Sequence, residues 1–322
     1  MSLTREEAIA SLHVVVAVAK ADERLAAEER RAIELALEDA GLDRAIDAKA
    51  LFNDDFEIDD HLAVLKSPEA RDEAYRSAYS LAFADGDCSK EERELLATLR
   101  GRLDISPERE RELSRLFALL SGEAAEKQIP LKPIADPHER HEAIRAATRQ
   151  CALVSALLGA FPIPGLALVT DLAVIAMQVG LVRDIGAMSG QLLDKRAAKT
   201  LLAGVGVSGA RLAISNLAKL LPGWGSVVGA TTSFASSYAV GRVFERHFSG
   251  TALSSDESGD RSRLRADYKA AEAEGRLEYE ANKDEIAAKQ RASQAEIEQL
   301  TRDVKDGKLT SSELVERASM LP

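Results

Sequence analysis

Apolar residues in the first third of the chain recur at helical spacing, as in Ile9, Leu12, Val15 and Val16, then Ile33 and Leu37. No stretch alternates apolar and polar positions as a half-buried strand would. From Ala143 the helical pattern turns progressively apolar and reaches CALVSALLGAFPIPGLALVTDLAVIAMQVGLV, in which Asp171 is the sole charge. That run breaks at Phe161-Pro162-Ile163-Pro164-Gly165 and returns as an apolar helix to Arg183 and Asp184. The shape then repeats: a helix from Ala197 to Leu221, a break at Pro222-Gly223-Trp224-Gly225, and a helix from Ser226 to Phe248. Two helical hairpins turned by proline and glycine are expected. Beyond Ser249, SGTALSSDESGD reads as a linker of small and acidic residues. The tail that follows has sparse apolar positions (Leu264, Tyr268, Ile286, Ile297, Leu300) and reads as a solvated helix or weak coiled coil. A turn at Asp306-Gly307 and a last helix capped by Thr310 or Ser311 close it. The pattern predicts an all-α fold: a helical domain over 1–128, a linker over 129–142, an apolar hairpin domain over 143–248 and a charged tail over 249–322.

Composition sharpens this. Hydrophobic residues make up 46% of the chain but aromatics only 4%, so the apolar surface is Ala, Leu, Val and Ile, which suits close helix packing. A formal net charge of -11 argues against a nucleic-acid partner, whose phosphates need Lys and Arg. Cys88 and Cys151 lie in different segments, neither in a CxxC, which points away from a disulfide framework or zinc ribbon and toward a reducing compartment. The N-terminus places acids before a short apolar run, the reverse of a secretory signal, so a cytoplasmic location is expected.

The first domain contains an internal repeat. AKADERLAAEERRAIELAL from Ala19 matches AFADGDCSKEERELLATL from Ala82, pairing Asp22 with Asp85, Glu28 with Glu91, Glu29 with Glu92 and Arg30 with Arg93. Each copy stops one helix at Ala-Asp and opens the next at Ala27 or Ser89, with Glu-Glu in the first turn where the helix dipole favours carboxylates. A pair of capped helix connections accounts for the pattern. A shared cation site is the sharper alternative, with Asp22, Glu29, Asp85, Asp87 and Glu92 supplying carboxylate oxygens to a divalent ion, calcium or zinc. An EF-hand is excluded, because the bidentate acid of a loop starting at Asp85 would fall on Leu96. This duplicated motif resembles the TerB (tellurite-resistance) family and its DjlA-type relatives over roughly residues 5–125. The resemblance implies a helical domain with acidic clusters proposed to bind metal, in stress-response systems often tied to membranes. It carries over to Asp22, Glu29, Asp85 and Glu92; Glu23 stands where the second copy has Gly86.

In the linker, His138 and His141 are too closely spaced for the HExxH motif and read as a solvated helix start. In the apolar domain, Gly225, Gly229, Ser233, Ser237 and Gly241 place small residues along one helix face, the pattern of close helix contact. The span Ile163 to Val182 has about the 20 residues a bilayer crossing needs, although Asp171 at its centre costs roughly 2.5–3.5 kcal/mol. Crossing twice would separate basic flanks that the positive-inside tendency keeps together. Arg145, Arg149, Arg183, Lys195, Arg196, Arg242 and Arg246 stay on one side if the tips FPIPG and LPGWG instead dip into the membrane without crossing. A wholly soluble buried bundle is the competing arrangement. FPIPGLALVTDLAVIAMQVGLVRDIG and LAKLLPGWGSVVGATTSFASSYAVGRVFERHF resemble the domain-of-unknown-function family 697 of YcjF-type membrane proteins, over roughly residues 145–248. That resemblance implies membrane proximity and no established reaction. Gly204-Val205-Gly206-Val207-Ser208-Gly209 satisfies G-x-G-x-x-G but follows a helical segment instead of a strand, so no nucleotide site is expected. No P-loop or G-x-S-x-G elbow occurs, and no catalytic residue is assigned.

The last segment, roughly residues 296–321, resembles the short C-terminal helical-hairpin domains thought to mediate oligomerisation or docking. The expectation is a non-enzymatic, membrane-associated adaptor or sensor, a homo-oligomer meeting a membrane surface or protein partner at the inner membrane. A soluble oligomeric scaffold that packs through its Gly/Ala groove is the alternative, and a hydrolase with a carboxylate-bound metal a distant third.

Overall fold

A computed structural model describes residues 3–21, 33–34, 37, 51–52, 57–83, 88–121, 132–159, 167–205, 207, 228–249, 257–309 and 311–320. Helix accounts for 84% of them and none lies in a strand, which makes the fold all-α. The described residues form two compact units, one ending at Ser121 and the other beginning at Lys132.

The first unit is built on α1 (Arg5–Ala19), whose Leu12, Val14, Val15, Val16 and Val18 are all buried. A helix apolar on every side must be surrounded. Here α2 (Ile58–Val64), α3 (Pro68–Phe83) and α4 (Lys90–Arg102) pack on it, and α5 (Pro107–Ser121) packs on α3. Thr4 and Glu7 close a capping box at the start of α1, and Glu7 reaches across to the Ser67 hydroxyl at 3.0 Å. Glu73 and Arg76 form a buried ion pair on α3. Helix α4 ends with Asp104 in the left-handed region (φ 56°), where the Ile105 N–H reaches back to the Arg100 carbonyl at 3.0 Å.

The second unit starts earlier than a proline-rich linker suggests. Pro137 opens α6 (Pro137–Gly159), and the Asp136 carboxylate accepts from the N–H groups of His138 and Glu139, both at 2.8 Å. Proline at the first helical position loses no bond, because that N–H has no partner in a helix anyway. Helix α7 (Ala167–Met188) follows, then α8 (Lys195–Gly204), capped by Asp194, and α9 (Val228–Phe248). The expected helix from Ala197 to Leu221 opens two residues early, and its described part closes at Gly204 with Val205 as cap; residues 208–221 lie outside the described residues. The tips FPIPG and LPGWG lie outside the described residues.

Helices α10 (Glu257–Ala281), α11 (Lys283–Lys305) and α12 (Ser311–Ser319) belong to the same compact unit. The tail expected to be solvated instead packs: α10 on α9, α11 on α6, and α12 on α6 and α7. Of its sparse apolar positions, Tyr268, Ile286, Ile297 and Leu300 are buried and Leu264 is half-buried, joined by the buried Ala271 and Gly275. A few apolar residues on one stripe suffice where the neighbouring helix presents small side chains.

Candidate functional site

Of the five carboxylates expected to converge, Asp22, Glu29, Asp85 and Asp87 lie outside the described residues. Glu92 is described, and local structure engages it. Its carboxylate accepts the Ser89 N–H at 2.7 Å while the Ser89 hydroxyl accepts the Glu92 N–H at 3.1 Å, the reciprocal pair of a capping box. Among the described residues, no three His, Cys, Asp or Glu side chains are grouped as metal ligands.

In the second unit, the small-residue face expected for close helix contact finds its partner in α6. Helices α6 and α9 run antiparallel and in close contact: Thr148 meets Gly241, Ser155 meets Ser237, and Gly159 meets Gly229 and Ser233. A Cβ on Gly241 would stand 2.7 Å from the Thr148 Cβ, and one on Gly159 would stand 2.9 Å from the Gly229 carbonyl oxygen. The small-residue stripe of α9 thus serves contact within the chain.

A polar seam crosses the apolar core at this level. The Ser155 and Ser237 hydroxyls are 2.7 Å apart, and the Gln178 amide on α7 donates to both Ser236 and Ser237 at 3.1 Å. Ser236 in turn meets the Tyr268 hydroxyl of α10 at 2.8 Å. Ser155, Ser237 and Gln178 are at most 1% exposed, so each needs the others to avoid an unpaired buried dipole. The chain links four helices in one register. Cys151 lies beside it, and burial pushes its thiol up to about 12, against the pull of Ser237 and Ser155; this is an inert thiol. Gln178 is the one signal the sequence held, an amide in the otherwise apolar AVIAMQVGLV.

The opposite end of the unit carries the charges. His141 on α6 meets Glu245 on α9 at 2.5 Å, and Arg242 reaches the same carboxylate at 2.9 Å. The Arg183 guanidinium donates to the Leu193 carbonyl at 3.1 Å. Burial pushes the Asp184 carboxyl up, with Arg183 opposing. His138 remains exposed, as a solvated helix start would leave it.

Helix α7 sits at the centre. None of its described side chains from Val169 to Met188 is exposed. No helix among the described residues is long and apolar enough to cross a membrane. The class that fold and site define is an all-α protein with a tightly packed, polar-seamed bundle as its second unit. Compared with known proteins, the chain matches no family model, no curated protein and no solved structure.

Proposed function

We propose that the chain is a non-enzymatic, membrane-associated adaptor or sensor of a bacterial stress or envelope-related system, of TerB-like and family-697-like construction. The chain docks on the membrane by its two Pro-Gly segments, and the acidic turns of the first unit recognise a divalent cation or a protein partner. The observation that carries the docking half is the juxtaposition of Gly159 and Gly229. Gly159 ends the helix before one Pro-Gly segment, and Gly229 lies in the first turn after the other. The helix ends that border the two segments therefore lie together. Arg183, Arg242 and Arg246 stand toward the far ends of α7 and α9, the separation that a shallow insertion calls for. Fractionation after a high-salt or alkaline wash tests this: the protein is expected to stay with membranes through high salt. Quantitative release into the soluble fraction counts against insertion.

The cation half rests on the repeated acidic turns alone. Calorimetric titration with calcium and zinc is expected to give heat that Asp22→Asn and Asp85→Asn abolish; no heat for the wild type retires it. Glu92 is a poor control, because its substitution also breaks the helix cap.

The soluble scaffold is favoured by one observation, the enclosure of α7 within its own chain. Its partner contact would use a surface other than the α9 stripe, which α6 already fills.

A further inference from the structure

We propose that the first unit binds a small zwitterion of the amino-acid class in the cavity between the start of α3 and the turn joining α4 to α5. The cavity measures about 300 Å³, and its apolar lining is Pro68, Leu103 and Ile105. That volume suits a small ligand.

One cation at the cavity is already spent. Arg109 donates to both Asp72 carboxylate oxygens at 2.7 and 2.8 Å and to Glu112 at 2.7 Å, a guanidinium fixed between two acids. Arg71, half-buried in the same lining, is not. Its Nε–H donates to the Leu65 carbonyl at 2.9 Å, which anchors the guanidinium, and neither Nη group has a partner among the described residues. The Asp104 carboxylate likewise has no partner among them, and it does not pair with Arg71 although both line one cavity. Asp104 holds a left-handed backbone (φ 56°), which glycine or asparagine would adopt at least as readily. Closing α4 therefore needs no acid at this position.

These charges define the ligand. Asp72, Asp104 and Glu112 stand against Arg71 and Arg109, too few cations to favour a phosphate. A carboxylate fits the open fork of Arg71 through two parallel bonds. An ammonium group fits Asp104, and a molecule carrying both leaves the balance of charge unchanged. Its side chain lies against Pro68, Leu103 and Ile105. The site shares no residue with the repeated acidic turns, and it stands whether or not the protein meets a membrane.

The test is calorimetric titration of the full chain at neutral pH with the common L-amino acids, one at a time. At least one should give saturable heat at millimolar concentration or below. The amine and the carboxylic acid corresponding to it, each lacking one of its two charges, should bind at least tenfold more weakly. Arg71→Gln should lower the affinity at least tenfold. Asp104→Asn should do the same with Tm unchanged, because asparagine keeps the left-handed backbone. Absence of heat with every amino acid overturns the proposal, as does undiminished binding by Asp104→Asn or equal binding of the singly charged analogues. If Arg71→Gln loses its fold with the Leu65 contact, Asp104→Asn decides alone.

Discussion

Ser89 and Glu92 each hold the other's backbone N–H at the start of α4. Ser89→Ala removes one of these bonds and is expected to destabilise the first unit by about 1 kcal/mol, read as a drop of a few degrees in Tm. This cap was legible because all its information lies within four residues of sequence. Glu7 was not, because its second partner, Ser67, is remote in the chain. The Thr4 N–H, more than any other donor, holds the Glu7 carboxyl below its ordinary value; burial opposes it, and the Ser67 and Thr4 hydroxyls add to it. A folded pKa below the unfolded one gives stability that is complete above the ordinary value, 4.5, and lost as pH falls through the folded value. Glu7→Gln should therefore cost stability at neutral pH, and its gap to wild type in urea midpoint should narrow as pH falls toward about 3. An unchanged gap would show that Glu7 does not titrate as described. Glu73 runs the other way: burial raises its pKa against Arg76, so its contribution is present at low pH and lost as pH rises. Comparing Glu7→Gln with wild type cancels that background.

Between elements, the decisive fact is how closely α6, α9 and α10 approach. The small residues at Gly229, Ser233, Ser237 and Gly241 signalled tight contact, and α6 makes it. What the pattern left open was the partner, since period alone identifies a face and not the helix that meets it. Gly241→Ala pushes a methyl into Thr148 and is expected to destabilise by about 1–3 kcal/mol. Adding Thr148→Ala should restore part of that, a coupling measurable in a double-mutant cycle. Ser237→Ala removes the bonds that Ser155 and Gln178 make to that hydroxyl and is expected to cost roughly 1–3 kcal/mol. The early start of α6 was obscured because Pro137 breaks a helix in mid-course but opens one at its first position. The packing of α10 was obscured for a related reason: Ala271 and Gly275 add little to an apolar pattern, yet they let a backbone approach closely.

At the scale of the molecule, the all-α class was legible because helical periodicity runs the whole length of the chain and nothing alternates. The site was less so. The acidic turns stood out as repeated letters, whereas the seam of Ser155, Gln178, Ser236, Ser237 and Tyr268 is assembled from four separate segments. The enclosure of α7 also changes what membrane contact means here. The described part of the apolar run that matched a bilayer in length, Val169 to Val182, lies in the core of a folded bundle, so the membrane contact proposed above would have to be made by the Pro-Gly segments. Trp224 is the chain's single tryptophan and stands in one of those segments, LPGWG. An indole prefers the membrane interface, and its emission reports its surroundings. Tryptophan fluorescence of the intact protein, titrated with vesicles carrying brominated acyl chains, is therefore the most direct measurement. A blue shift with quenching that saturates with lipid is the predicted result; emission unchanged in position and intensity at the highest lipid concentration would contradict membrane docking by this segment.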